Sequence, residues 1–173
     1  MASCKHNEFD DLAAVTAIPI GNITATTATS PVNILAPTIA KADFGTPSLA
    51  GAVTIGVRPE AMNGTLIPIM RDTATAKDTE ADSVAGRLHT VSVNMEVDTR
   101  KGELWGAVAA PGNPPCSLYL ERNAFHLLLT LRDGTQGFVA ATEDTYQCDI
   151  ERDGSKTTVA FRIQNMMGIQ LIV

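Results

Sequence analysis

The sequence predicts an all-β fold: an antiparallel sandwich or partly closed barrel with one short flanking helix and an extended N-terminal arm. Three observations carry this expectation. Residues 89–98 alternate strictly. His89, Val91, Val93, Met95 and Val97 fall on one side and Thr90, Ser92, Asn94, Glu96 and Asp98 on the other, the period of a strand with one wet face. Two Asp-Gly dipeptides, Asp133-Gly134 and Asp153-Gly154, follow apolar alternation and mark hairpin turns. The composition is low in charged residues (18 %) and aromatics (5 %). Ala, Thr, Gly and Val fill the deficit, and they suit strands and extended segments.

Taken in order, residues 1–47 differ from the rest. A polar start leads into the tract Ile23-Thr24-Ala25-Thr26-Thr27-Ala28-Thr29-Ser30-Pro31, then Pro37 and Pro47. β-Branched Thr and donor-less Pro disfavour helix, and the tract is too apolar for a solvated linker. It reads as an arm that lies on its own domain or on a neighbouring subunit, with the domain proper spanning 48–173. Val53, Ile55 and Val57 make a short strand stopped at Arg58-Pro59, and Pro68 demotes Leu66–Met70 to an edge strand or bulge. Residues 71–86 show no apolar period and are expected to form a long loop, or else a short helix. Glu103–Ala109 is the helical candidate, stopped by Pro111-Gly112-Asn113-Pro114-Pro115.

The remainder reads as a meander. Phe125, Leu127, Leu129 and Leu131 share a face, Phe138–Ala140 begins the return, and Tyr146, Cys148 and Ile150 oppose Gln147, Asp149 and Glu151. Val159, Phe161 and Ile163 form the next strand, and Ile169, Leu171 and Val173 the last. Such an apolar end is expected to be tied into a sheet or an interface.

The chemistry-bearing residues are sparse. A length of 173 residues suits one domain, and a net charge of −6 disfavours binding to phosphate backbones. Three widely spaced cysteines, Cys4, Cys116 and Cys148, make a poor disulfide framework and read as free thiols in a reducing compartment. The first residues are polar and acidic, unlike a signal peptide, and no apolar run nears the ~20 residues that cross a bilayer. No Gly-x-Ser-x-Gly turn is present, and the glycines do not form a phosphate loop. Cys4-Lys5-His6 with Asp10 and Asp11 is the nearest approach to a metal set, and no second pair echoes it. His89 and His126 each fall on a strand as packed or surface residues. No catalytic residue, metal or cofactor is therefore expected. Gln147, Asp149 and Glu151 have two readings: a solvated sheet face, or an acidic face that lines a channel or meets a partner.

Three features together give the chain a family likeness. They are the segment Arg71–Ala85 between Leu66–Met70 and Leu88–Asp98, the single helical candidate, and the closing meander through Thr157-Thr158-Val159-Ala160-Phe161-Arg162-Ile163-Gln164-Asn165. From about Gly51 to Val173 the chain resembles a tailed-phage tail tube subunit or a related virion structural protein. The resemblance is one of pattern and carries over no functional residue. It implies a β-sandwich or barrel with a flanking helix, six subunits ringed so that their sheets form an inner barrel, and an acidic lumen through which DNA slides. Loops and arms would join stacked rings. Ile18–Pro47 and the loop bearing Arg71, Asp72, Lys77, Asp78, Glu80 and Asp82 are the candidates here. The implied partners are copies of itself, other virion proteins and, passively, DNA, in a virion assembled in the host cytoplasm. A capsid decoration, head–tail connector or baseplate protein fits the same features. So does a monomeric binding module, although one Trp and two Tyr are few for a carbohydrate site.

Overall fold

The computed structural model describes residues 8–9, 11–23, 38–39, 51–58, 72–83, 86–101, 104 and 116–173. In chain order the elements are β1 (Glu8–Phe9), β2 (Leu12–Pro19), a 3-10 turn (Ile20–Asn22), β3 (Thr38–Ile39), β4 (Val53–Gly56), β5 (Thr73–Ser83) and β6 (Gly86–Asp98). They continue with α1 (Cys116–Arg122), β7 (Phe125–Leu131), β8 (Gln136–Val139), β9 (Tyr146–Asp153), β10 (Lys156–Asn165) and β11 (Ile169–Ile172). Two sheets form, in the orders β1-β5-β6-β10-β9 and β3-β11-β8-β7-β2-β4. All pairings are antiparallel except β3 with β11. Among the described residues the fold is an all-β sandwich flanked by the short α1, and the sheets do not close into a barrel.

The core lies where period-2 alternation puts large apolar side chains. From the first sheet come Val91, Val93, Met95, Val97, Tyr146, Cys148, Val159, Phe161 and Ile163. From the second come Val15, Ile55, Phe125, Leu127, Leu129 and Val139. Asp133-Gly134 and Asp153-Gly154 make the turns read from the sequence. Gly134 and Gly154 take φ of 90° and 58°, conformations that side chains with a Cβ resist.

The second sheet is apolar on both faces. On its outer side Ile18, Leu128, Phe138 and Ala140 form a second cluster with Ile23 and Ile39. This explains why every residue of Phe125–Leu129 is buried, since a strand covered on both sides has no wet face to alternate with. The C-terminal strand is tied in as expected, between β8 and β3, and the Val173 N–H donates to the Ile39 carbonyl at 2.8 Å.

Two expectations are corrected. Residues expected as a loop, including Asp72, Lys77, Asp78, Glu80 and Asp82, lie on or directly before β5, a long strand paired with β6 from Thr73 opposite Glu96 to Ser83 opposite Gly86. Its inward apolar side chains in the core are Ala74 and Ala76, so burial there leaves no large apolar period to read. Leu12–Pro19, within the segment expected to be an arm, is instead a strand between β7 and β4. A helix that the sequence reading did not place, α1, follows Pro114-Pro115 directly, and proline favours a helix start as readily as it ends one. The candidates Leu66–Met70 and Glu103–Ala109 lie outside the described residues, apart from Leu104, which is buried and helical as expected.

Candidate functional site

The outer face of the first sheet presents a broad polar surface four strands wide. Cross-strand registers align it in rows. Lys77, Ser92, Arg162 and Gln147 form one row. Thr75, Asn94, Ala160 and Asp149 form the next, and Thr73, Glu96, Thr158 and Glu151 a third. No side chain in these rows is apolar and larger than alanine. Three carboxylates stand against two cations, so the rows carry a net charge of −1 (2 − 3). The face is therefore closer to neutral than the acidic surface expected from β9 alone. Gln147, Asp149 and Glu151 are all exposed on it, as expected for either reading of them. Gln147 borders a small polar recess of about 130 Å³ with Asp144, Thr145, Arg162 and Gln164.

The candidate residues on β5 diverge because successive side chains point to opposite sides. Lys77 is exposed on the outer face. Asp72 turns inward and is buried. Asp78 also turns toward the second sheet, where its Oδ1 accepts from His89 Nδ1 at 2.8 Å and its Oδ2 from the Ile169 N–H at 3.2 Å. Glu80 sits directly opposite His89, its Oε2 4.0 Å from Nε2. Asp82 pairs with Arg87 in the ladder, and Arg71 lies outside the described residues.

Asp78 clamps the two sheets together, because it holds His89 on β6 of its own sheet and the N–H of Ile169, which begins β11 of the other. Gly168 fits there at φ 64°, and a Cβ at this position would run into the Asp78 carboxylate and the His89 ring. Gly168→Ala is therefore expected to cost about 2 kcal/mol or more, from left-handed backbone strain and the broken clamp together. For a chain of this size that lowers Tm by roughly 5 °C. A Tm within about 1 °C of wild type in a thermal scan would show that the clamp contributes nothing.

Sequence reading missed a second cluster altogether. Asp72 accepts from five donors: the Arg58 N–H, Nε and Nη2, the Asp98 N–H, and Lys101 Nζ, at 3.0–3.2 Å. Lys101 Nζ also donates to the Gly56 carbonyl. Asp98 joins through Arg58 Nη2 at 3.1 Å and through the Arg100 N–H and guanidinium. Asp98 was expected on the wet face of β6 and is instead buried, drawn under these cations at the strand end. Burial alone would raise the Asp72 pKa, but the donors from Arg58, Lys101 and Asp98 overcome it and hold the carboxyl below its ordinary value. Hydrogen bonds from the Arg100 backbone and side chain hold Asp98 well below the usual carboxylate range. The cluster borders an open cleft of about 460 Å³. Both carboxylates are already saturated with cations, so neither is poised as a general base.

Two further reactive groups, Cys148 and His126, are packed into the interior. Burial pushes the Cys148 thiol up to about 12, beyond the thiolate range a nucleophile needs. His126 Nδ1 accepts from the Ala141 N–H at 2.9 Å, which places its hydrogen on Nε2. No group of three or more His, Cys, Asp or Glu among the described residues is arranged to hold a metal. No helix among them is long and apolar enough to cross a membrane.

Compared with family models, with curated proteins and with solved structures, the chain finds no match. Its class is thus defined by the fold, a two-sheet β-sandwich with one flanking helix. Function is argued from the surfaces described above.

Proposed function

We propose that the chain is a non-enzymatic structural subunit that assembles with copies of itself into a ring or tube, with the outer face of the β5–β6–β10–β9 sheet lining the channel. The observation that carries this reading is the face itself. It is four strands wide and built from Thr, Ser, Asn, Gln and a few opposed charges, while its reverse side is packed core. A surface with little net positive charge gives DNA phosphates no strong counter-charge, so a strand passing over it slides without sticking.

Topology supports closure. The four long strands alternate in direction, so β9 of one copy laid beside β5 of the next, in place of the two-residue β1, continues the antiparallel order without reversal. Edge pairing of this kind turns open sheets into a closed wall. Together with the likeness described for Gly51–Val173, this makes a phage tail tube subunit the specific form of the proposal. Its partners would be copies of itself and other virion proteins, and its location the virion.

Negative-stain electron microscopy of the purified chain across a concentration series tests the reading. Rings or tubes of uniform diameter are expected. Small monodisperse particles at every concentration would exclude spontaneous tube formation and favour a decoration, connector or baseplate part, or a monomeric binding module.

A further inference from the structure

The free side of β9 is closed by a glutamate from another element. The Gln164 N–H donates to the Thr145 carbonyl at 3.3 Å, so Thr145 and, by alternation, Gln147, Asp149 and Glu151 direct their backbone groups toward β10. Tyr146, Cys148, Ile150 and Arg152 direct theirs the other way, where no described strand pairs. Among these outward amides, the Tyr146 N–H donates to the Thr142 carbonyl at 3.2 Å, and the Ile150 N–H to Glu121 Oε1 at 2.9 Å. Glu121 lies on α1, which is seated against the edge by the Tyr146 hydroxyl donating to the Leu120 carbonyl at 2.7 Å and by the edge-to-face stacks of Phe125 on Tyr119 and Tyr146. An exposed glutamate gains little from leaving water for a neutral amide. What the contact does accomplish is to fill a mid-strand donor of an edge that would otherwise template pairing.

We propose that the β9 edge is a docking surface for a strand of a second copy of this chain, and that Glu121 is the plug that keeps it shut in the free subunit. The edge on the far side of the same sheet is suited to enter. There the outermost described strand is the two-residue β1, opposite Ala76 and Lys77, and the longer β5 behind it runs in the direction that pairs antiparallel with β9. The identity of the incoming strand rests on the ring reading; the plug itself does not. Association at β9 then requires Glu121 to release Ile150, so the helix controls when the sheet extends.

The test uses the full chain with Glu121→Ala and Glu121→Gln, reading Ile150 amide exchange by NMR in dilute solution and self-association by sedimentation velocity. Glu121→Ala is expected to speed Ile150 exchange about five- to tenfold, the loss of one hydrogen bond, and to lower the concentration at which copies associate by a similar factor. Glu121→Gln keeps an acceptor oxygen and stays near wild type in both. Ile150→Pro in the Glu121→Ala background removes the outward donor from an edge strand, where proline is tolerated, and should abolish the gain. The plug is overturned by unchanged Ile150 exchange in Glu121→Ala, or by association that survives Ile150→Pro. Closed dimers in place of rings would uphold the plug and overturn the ring reading.

Discussion

Asp72→Ala should lower the unfolding free energy by about 3 kcal/mol, seen as a fall in the urea midpoint at unchanged m-value. The side chain is fully shielded from solvent, and its removal strands the cations gathered around it. The two main partners do not suffer equally. Arg58 is 40 % exposed and can recover water, whereas Lys101 is 9 % exposed and cannot. The loss therefore falls at the low end of what breaking a buried pair costs, about 3–5 kcal/mol. Arg100 provides the contrast within the same cluster. It touches Asp98 but is 85 % exposed, so Arg100→Ala should change stability by about 0.5 kcal/mol or less. Equal losses from Asp72→Ala and Arg100→Ala would mean that burial is not what sets the strength of this cluster.

Stability should also fall on mild acidification, before the carboxylates titrate. His126 is buried beneath Phe138, its ring 5.3 Å away, and its Nε2 has no hydrogen-bond partner among the described residues. Burial pushes its pKa down to about 4 from an ordinary value of 6.5, against a weaker opposing pull from the Ile20 and Ile23 backbone. The unfolded chain then binds a proton that the folded chain refuses. Stability from neutral His126 is present in full above pH 6.5 and is lost as pH falls toward 4, by about 3 kcal/mol in all. Below that window Asp72 takes over. Its lowered pKa contributes stability above the ordinary carboxylate value of 3.8 that is lost as pH falls further. Urea melts at half-unit steps between pH 7 and pH 3 measure both stages. His126→Gln keeps an acceptor for the Ala141 N–H without titrating, and should flatten the first stage while leaving the second. An unchanged slope between pH 6.5 and 4 in that variant would rule out His126 as its source.

Both residues illustrate how far the chain could be read directly. Where one face of a strand carries large apolar side chains and the other polar ones, the pattern and the fold agree, because a one-residue slip would put the apolar set into water. Val91–Val97, Tyr146–Ile150 and Val159–Ile163 are of this kind, and the Asp-Gly turns follow from glycine's access to positive φ. The outward positions of Gln147, Asp149 and Glu151 were legible for the same reason.

Long-range closure settled the rest. β5 is a strand because β6 gives it a ladder, although alanine is its only inward apolar side chain. Arg58, Asp72, Asp98 and Lys101 meet only when the ends of β4, β5 and β6 come together, and no local pattern separates such charges from solvated ones. Glu121 reads along the chain as a surface helix residue, and its role at Ile150 depends on where α1 docks. Periodicity is local and is written in neighbouring residues. The burial of a charge or the covering of a strand edge depends on contacts between distant segments, and those exist only once the two sheets have packed.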